Sequence, residues 1–545
     1  MRNPGLPCFL SFAIFGLFAN FVRLNCNGVD VIRGRVVQQQ IPVWKISVSL
    51  PLVDRAEFES PWRGRDGLIV AVLTLVALVL RLYHLDYRGM WTDEFHTLRP
   101  VLLPMGEMVR ERLAAGHLPT YFALVKAWVM ATGSTSDWNL RFPSAVAGAF
   151  IVSAAWALCR PNCSRGVAVA VALMACFNGM SVWAGQEARM YGFLMVAATF
   201  SHAALLRAFD RGGAAAWMQY VAWLFVAIAF QPVMLVFWTG HLAFAWTQRR
   251  VHPRQFRAFF AGVVALLLLL VPAAVIYVLM QRKYTGLDFH SSDPWLMIKR
   301  LALVAFASDG AVRFMRYGAL AVLLLCSAAL AAGLRGRWGS LPAADRRILL
   351  FCGLAVGVPS LLLWIAGFFF YHVVGIERYL LPAAAPLWLL VAWSIAHTRN
   401  QMTRQALGAA VVIITIAGLA GQLLDRGSGI REAVQYLSAH AAPGEPILFD
   451  KSATVEAALR HYSKIDLLAC PWQEASSVDE RLEVCAPASP RVWLLTYRKD
   501  KSGVRAALDA SKRYVEDPAT AYEFKRARIQ AYRNNGDGLT IAPRF

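Results

Sequence analysis

The sequence predicts a mainly α-helical, polytopic membrane protein with a small α/β domain at its C-terminal end. Of its 545 residues, 57% are hydrophobic and 16% are charged, which is too little charge to cover the surface of a soluble protein of this length. Continuous apolar runs recur along most of the chain. Each run approaches the roughly 20 residues that a helix needs to cross a bilayer.

We expect about eleven membrane spans, with boundaries good to a few residues. Their approximate positions are 67–85, 139–158, 167–185, 191–208, 215–231, 232–247, 257–280, 315–334, 347–370, 379–396 and 405–424. If the first span begins in the cytoplasm, short arginine-rich linkers fall inside, as the positive-inside rule requires. The loop 86–137 and the C-terminal region then lie outside. This parity requires the segment His117–Thr132 to lie along the outer membrane surface without crossing.

The composition divides the chain into three regions. Residues 1–62 form an atypical N-terminal extension, which is interpreted as an extra helix, a signal-like segment or translation from an upstream start. Residues 63–424 form the transmembrane domain, and residues 425–545 are charged and mixed, as expected of an extracytoplasmic α/β domain. Cys470 and Cys485 lie in this last region, where a disulfide could persist, and we expect them to pair.

The net charge of +21 does not indicate a nucleic-acid partner. The basic residues form short clusters between apolar runs, such as Arg249, Arg250, Arg254 and Arg257, and not one face of a soluble domain. The expected partner of the chain is therefore the lipid bilayer. Arginine greatly outnumbers lysine, which is typical of GC-rich bacterial genomes, so we expect the chain to lie in a bacterial inner membrane.

Two adjacent carboxylates, Asp93 and Glu94, follow the first span in the run Leu82–Glu94. Paired acids are common on solvated loops, and this interpretation remains open. Paired acids at one membrane face can also take part in acid–base chemistry.

Four further motifs follow Asp93-Glu94 in order, and by the predicted topology they lie at the same membrane face. They are His117-Leu118-Pro119-Thr120-Tyr121-Phe122, Leu140-Arg141-Phe142-Pro143-Ser144-Ala145, Gln186-Glu187-Ala188-Arg189-Met190-Tyr191 and Arg378-Tyr379-Leu380-Leu381-Pro382. In order and spacing, over about residues 66–390, the chain resembles GT-C glycosyltransferases, namely protein O-mannosyltransferases and the aminoarabinose transferase of lipid A. Leu118 departs from the proline usual at its position.

The resemblance implies a glycosyltransferase of the cell envelope, moving a hexose or pentose from a polyprenyl-phosphate carrier to a hydroxyl on a glycan, lipid or protein. By carry-over, Asp93 is the candidate general base, and Glu94 its helper or an acceptor-positioning group. Glu187 would complete the acidic pocket. Arg378 and Arg189 would bind the donor phosphate.

The same resemblance makes His117, Tyr121 and Tyr191 candidates for positioning the substrate. Simpler interpretations stay open, because Glu187, Arg189 and Arg378 could also be interface anchors. The family allows a divalent metal, but no ligand spacing in the sequence demands one, and no cofactor is assigned.

Two other functions fit the sequence in part. A transporter or flippase of lipid-linked sugars would place ionisable residues at mid-depth. Only His202 and His241 lie there in the predicted spans, and they are interpreted as packed neutral histidines. A non-catalytic assembly protein would use the C-terminal domain to bind a partner.

Overall fold

The structure is a computed structural model that describes residues 64–280, 295–307, 313–369, 377–425, 427–450, 452–466, 468–472, 489–497, 503–510 and 514–534. The predicted N-terminal extension and Cys485 lie outside these residues. The described chain is mainly helical, with one small sheet near its C-terminal end, and this confirms the predicted fold class.

The helices follow one another with short connections. In chain order they are α1 (Gly64–Leu82), α2 (Thr92–Leu102), α3 (Met105–Ala114), α4 (Thr120–Thr132), α5 (Asp137–Ala149), α6 (Ile151–Cys159), α7 (Arg165–Phe177), α8 (Gly179–Gly185), α9 (Tyr191–Arg211), α10 (Ala214–Phe230), α11 (Met234–Gln248), α12 (Pro253–Met280), α13 (Leu296–Phe306), α14 (Arg313–Leu334), α15 (Ala343–Phe369), a 3-10 helix (Glu377–Ala383), α16 (Ala384–Ala396) and α17 (Gln401–Leu423). Each predicted span coincides with one of these helices or with a consecutive pair.

The chain is a multi-pass membrane protein. Within its described residues, seven spans are long and apolar enough to cross a bilayer, or up to eight if the bent pair α7–α8 counts as one. The other three predicted spans correspond to α1, α10 and α11, so the total of about eleven stays a prediction. Large apolar side chains such as Leu268 on α12 and Ile413 on α17 are exposed, and this surface suits lipid contact.

A sharp bend between α7 and α8 brings the segment 186–190 back to the end of α1. The helix axis bends by 53° between α7 and α8. The side chain of Asn178, which lies at the bend, bonds both to α8 and to another segment of the chain. Its side-chain oxygen accepts from the Ser181 amide at 2.9 Å, while its nitrogen donates to the carbonyls of Val304 and Ala305 at 3.2 and 2.9 Å.

Ion pairs tie the predicted basic linkers together at one end of the bundle. Asp66, at the start of α1, pairs with Arg160 at 2.7 Å and with Arg165 at 2.8 Å. Arg347 of α15 pairs with Asp210 of α9. The acidic motifs lie at the opposite end, which is the separation that the predicted topology requires.

Between α1 and α5, three short helices lie at the end of the bundle that carries the acidic motifs. Lys126 of α4 donates to the carbonyls of Val101 and Leu103 at 2.9 and 2.7 Å. These carbonyls lie at the end of α2 and just beyond it, where the helix has no internal donors left for them. Lys126 therefore attaches α4 to α2.

The C-terminal region forms a five-stranded sheet with flanking helices. Its elements are α18 (Ile430–His440), β1 (Pro446–Asp450), α19 (Ala453–Tyr462), β2 (Leu468–Trp472), β3 (Arg491–Tyr497), α20 (Val504–Ala510), β4 (Tyr514–Phe524) and β5 (Ala527–Asn534). The strand order is β2-β1-β3-β5-β4, with β1 parallel to β2 and β3, and β5 antiparallel to β3 and β4. Cys470 is disulfide-bonded, and its pairing with Cys485 stays a prediction.

We expect Gly418→Ala to destabilise the bundle. A Cβ at Gly418 of α17 would lie 2.5 Å from the Phe306 carbonyl oxygen and 2.8 Å from Ala307 Cα. Because backbone atoms cannot move aside as a side chain can, the cost should be about 1–3 kcal/mol. The measurement is the thermal unfolding midpoint of purified protein.

Gly408→Ala is the matched control on the same helix. A Cβ there meets nothing within 4 Å, so the loss of glycine's backbone freedom should leave the midpoint unchanged or slightly raised. Equal midpoints for the two variants would contradict the close packing at Gly418.

Candidate active site

The adjacent acids Asp93 and Glu94 occupy the first turn of α2 and face different surroundings. Successive residues of a helix point about 100° apart, so one can face the protein interior while the other stays accessible. The Glu94 side chain is 0% exposed, whereas that of Asp93 is 20% exposed. Asp93 is therefore the more accessible of the two carboxylates.

Glu94 forms a fully buried ion pair with Arg141 of α5. Arg141 donates through Nε to Oε1 at 2.7 Å and through Nη2 to Oε2 at 2.6 Å. The Ala188 amide also donates to Oε1, at 2.8 Å. Both oxygens of Glu94 are thus engaged within the protein, on elements far apart in the sequence.

The remaining donors of Arg141 hold the loop between α1 and α2. Nη1 donates to the carbonyls of Leu85 at 2.8 Å and Arg88 at 2.7 Å. Arg141 belongs to one of the five motifs, but its role here was not predicted. An arginine in the first turns of an otherwise apolar span is a signal for a buried partner.

Glu187 lies in the segment between α8 and α9 and is 1% exposed. The Trp91 indole donates to its Oε2, and Arg88 Nη2 lies 3.1 Å from its Oε1. Burial, followed by the charge of Glu94, raises the pKa of Glu187 to about 8. The folded chain therefore retains a proton that an unfolded chain releases, and the stability from this group falls as the pH rises from about 4.5 towards 8.

Asp93 meets two arginines predicted to share its pocket. Arg378 Nη2, at the start of the 3-10 helix, lies 3.0 Å from Asp93 Oδ2. Arg189 Nη1 donates to the Asp93 carbonyl at 3.2 Å. The Arg378 guanidinium also lies 5.2 Å from the centre of the Trp91 ring, whose indole bonds to Glu187. The structure thus brings Asp93, Glu187, Arg189 and Arg378 together.

A third arginine, Arg112 of α3, joins this group and was not predicted. It is buried, donates to the His96 carbonyl at 3.1 Å, and lies 5.1 Å from the centre of the Phe122 ring. In the sequence, the one feature near Arg112 that indicates a functional site is the motif that begins at His117, five residues later. Nε of Arg112 and Nε of Arg189 are buried without a hydrogen-bond partner among the described residues.

His117 lies among these cations. Burial, followed by the charges of Arg189 and Arg112, lowers the pKa of His117 to about 3, so its imidazole is neutral at pH 7. Its ring centre is 6.0 Å from that of Phe122. A neutral imidazole adds no repulsion against the arginines and keeps one nitrogen able to donate a hydrogen bond.

The two tyrosines predicted for this site, Tyr121 and Tyr191, contact the arginines directly or through one further side chain. Tyr191 lies under Arg189 and Arg378, with its ring centre 5.9 and 5.7 Å from their guanidinium carbons. Tyr121 is fully buried, and its hydroxyl lies 3.1 Å from Ser144 Oγ, which in turn donates to the Arg189 carbonyl at 3.0 Å. Tyr121 therefore acts on the site through Arg189.

The carboxylates of this site do not form a metal-binding set. Among the residues that the structure describes, no group of three or more His, Cys, Asp or Glu side chains could hold a metal ion. Glu94 has both oxygens engaged, and Asp93 and Glu187 each have an arginine partner. The described donors of this site therefore do not make up a ligand set for a divalent ion.

The C-terminal domain packs directly on this site. Tyr462 of α19 donates to Asp137 Oδ2 at 2.7 Å and accepts from the Met90 amide at 2.7 Å. His461 Nε2 lies 3.0 Å from Asp137 Oδ1, and Thr454 Oγ1 lies 2.9 Å from Thr92 Oγ1. These contacts fix both ends of the segment 90–92 that leads into Asp93.

We expect Glu94→Ala to destabilise the protein strongly, because it leaves the guanidinium of Arg141 buried without its charge partner. Breaking a buried pair in this way costs about 3–5 kcal/mol. Glu456→Ala is the control, since Glu456 pairs with Arg460 on an exposed surface at 2.6 Å and should cost at most about 0.5 kcal/mol. Thermal midpoints of the two purified variants test this; a Glu94→Ala midpoint equal to the control would contradict the account.

Two solved structures share this architecture. The apo structure of ArnT from Cupriavidus metallidurans matches with a TM-score of 0.53 at 14% identity, over 85% of this chain and 97% of that chain. The apo oligosaccharyltransferase of Archaeoglobus fulgidus matches with a TM-score of 0.50 at 12% identity, over 89% and 76%. No protein-family model and no curated protein sequence matches the chain. The chain therefore has the fold of the GT-C glycosyltransferases, as the resemblance of its motifs implied.

Proposed function

We propose that this protein is a glycosyltransferase that moves a sugar from a polyprenyl-phosphate carrier to a hydroxyl acceptor. The observation that carries the proposal is the meeting of a partly accessible carboxylate, Asp93, with a cluster of arginines at one membrane face. Such a transfer needs a base for the acceptor proton and cations for the departing phosphate. A carboxylate and arginines that could fill these two roles lie side by side in a fold that known glycosyltransferases share, and this supports the proposal.

The arginine cluster would bind the phosphate of the donor. Arg378 and Arg189 were predicted for this role, and we add Arg112. A buried donor without a partner costs about 1–3 kcal/mol, and the Nε atoms of Arg112 and Arg189 are in this position among the described residues. A phosphate oxygen would satisfy them. His117, neutral among these cations, would position the phosphate by donating one hydrogen bond.

The ion pair between Asp93 and Arg378 suggests how donor binding prepares the base. The arriving phosphate competes with Asp93 for the Arg378 guanidinium and frees the carboxylate for the acceptor. Asp93 then takes the proton of the acceptor hydroxyl, while the oxygen of that hydroxyl forms a bond to the anomeric carbon of the sugar. The bond from that carbon to the phosphate oxygen breaks, and polyprenyl phosphate leaves with the electron pair.

Glu94, Glu187 and the tyrosines would act on this reaction through other groups. Glu94 fixes the first turn of α2 through Arg141 and thereby aims Asp93. Glu187 holds Trp91 and Arg88 beside Arg378. Tyr121 and Tyr191 support Arg189 and Arg378. We therefore assign Glu94 and Glu187 as positioning residues.

We infer that the site and the C-terminal domain lie outside the cytoplasm of a bacterial inner membrane. The arginine-rich linkers gather at the opposite end of the bundle, and such linkers favour the cytoplasmic side. The sugar would accordingly be added to an acceptor of the cell envelope.

Asp93→Asn should abolish transfer in a protein that still folds, because asparagine keeps the shape but cannot take the acceptor proton. We expect a loss of at least about a hundredfold. In cells that lack the gene, the lipid-linked sugar used as donor should accumulate, and mass spectrometry of extracted lipids can measure it. The wild-type gene should clear this pool, whereas Asp93→Asn should not.

Asp86→Asn is the control for that experiment, since Asp86 is an exposed acid of the same loop and should behave as wild type. Immunoblots of membranes would verify equal amounts of protein. Full clearance by Asp93→Asn would refute the catalytic role and leave carrier transport or assembly as the function.

Arg378→Ala and Arg112→Ala should each weaken the binding of a polyprenyl monophosphate that carries no sugar. Loss of one charged hydrogen-bond donor costs about 1.5–3 kcal/mol, which is a roughly ten- to hundredfold rise in Kd. Arg110→Ala, an exposed position of the same helix as Arg112, should leave Kd unchanged. Titration of the protein in nanodiscs measures these constants; unchanged values for both Arg378→Ala and Arg112→Ala would refute the phosphate site.

A further inference from the structure

Two fully buried histidines inside the bundle, His202 of α9 and His241 of α11, belong to one continuous chain of hydrogen bonds. His202 Nδ1 lies 2.7 Å from His241 Nε2, and His202 Nε2 lies 2.9 Å from the Pro382 carbonyl. At the other end, the Tyr220 hydroxyl lies 3.1 Å from His241 Nδ1 and accepts from the Trp238 indole at 3.1 Å. The chain thus links three spans to the 3-10 helix.

The direction of every bond in this chain follows from its last acceptor. A carbonyl only accepts, so His202 Nε2 must donate to Pro382. With both rings neutral, His202 Nδ1 then accepts from His241 Nε2–H, and His241 Nδ1 accepts from the Tyr220 hydroxyl. Each donor meets one acceptor, as expected for polar groups buried in a membrane bundle.

The acceptor of this chain is a carbonyl near the end of the 3-10 helix, four residues before a proline. In an α-helix the N–H of the residue four positions later would bond to it, and that residue is Pro386, which has no N–H. His202 therefore supplies a donor in place of the i+4 N–H that Pro386 lacks. The position of Pro382 depends on a side chain from another span.

Pro382 lies four residues after Arg378 in the same 3-10 helix, Glu377–Ala383. At the start of this helix, Arg300 of α13 pairs with Glu377. The segment is thus attached at both ends by polar contacts from other helices, and Arg378 lies between them with its guanidinium 3.0 Å from Asp93.

We propose that His202, oriented by His241 and Tyr220, is a positioning residue for Arg378 and thereby for the donor phosphate. This inference rests on the proposed function, because it takes Arg378 as a phosphate ligand. Loss of the histidine donor would let the 3-10 helix shift, and an arginine fork matches phosphate oxygens only in a defined orientation. The spans themselves would stay in place, since α9 keeps its packing.

The test is the Kd of a sugar-free polyprenyl monophosphate for full-length variants in nanodiscs. His202→Leu removes the donor and should raise Kd about tenfold. His202→Gln retains one N–H for Pro382 and one oxygen for His241, so its Kd should stay within about threefold of wild type. Ser201→Ala is the matched control, because Ser201 is buried on the same helix and, within the described part of the chain, bonds only to the Ala198 carbonyl of its own helix.

A double variant separates this inference from the proposed function. If His202 acts through Arg378, His202→Leu should change Kd less than twofold in an Arg378→Ala background. An unchanged Kd in Arg378→Ala alone would refute the role of Arg378 as a phosphate ligand, which belongs to the proposed function. A Kd that rises in Arg378→Ala but not in His202→Leu would refute only the positioning role, as would full additivity of the two changes.

If His202→Leu does not fold, His202→Asn replaces it. Asparagine keeps a polar side chain but is too short to bond to both Pro382 and His241, so its Kd should rise while that of His202→Gln should not. Equal affinities of the Asn and Gln variants would overturn the proposal.

Discussion

The ion pair between Glu94 and Arg141 is the interaction on which the candidate site depends. It is completely buried and joins three parts of the chain: the first turn of α2, the start of α5 and the segment before α9. The same guanidinium holds the carbonyls of the loop that follows α1. Taking two charges out of water costs several kcal/mol per ion, and here several hydrogen bonds at 2.6–2.8 Å offset that cost. Asp93, Glu187 and Arg189 are neighbours because this pair fixes the segments that carry them.

Around this pair, the acidic side chains of the site differ in their exposure. Glu94 and Glu187 face the interior and are engaged by Arg141, Trp91 and Arg88, whereas Asp93 stays partly accessible and pairs with Arg378. The C-terminal domain contributes to this order because Tyr462 and His461 hold Asp137, four residues before Arg141. The membrane bundle and the domain share one apolar core. The pocket is therefore a product of both parts of the chain, although its charged groups come from the bundle.

Much of the fold could be predicted from the sequence. The length of each apolar run indicates where a helix crosses the membrane, and the charge of the linkers indicates which helix ends lie on the same side. The motifs also identified four residues that do meet, Asp93, Glu187, Arg189 and Arg378. Which of the two adjacent acids stays accessible depends on the rotation of α2 about its axis. The bond to Arg141, 47 residues away from Glu94 in the sequence, sets this rotation. Arg112 has no motif of its own, and Lys126 bonds to carbonyls that only the packing of α2 against α4 brings near. The bond between His202 and His241 could not be predicted either, because nothing in the sequence indicates that these two residues lie in contact.

A structure of the full-length protein with a bound polyprenyl monophosphate would test the central claim most directly. We expect phosphate density between Arg112, Arg189 and Arg378, with the Arg378 guanidinium withdrawn from Asp93 and the carboxylate of Asp93 accessible to the acceptor. Phosphate bound at the arginine-rich linkers of the opposite membrane face, with the contact between Asp93 and Arg378 intact, would contradict it.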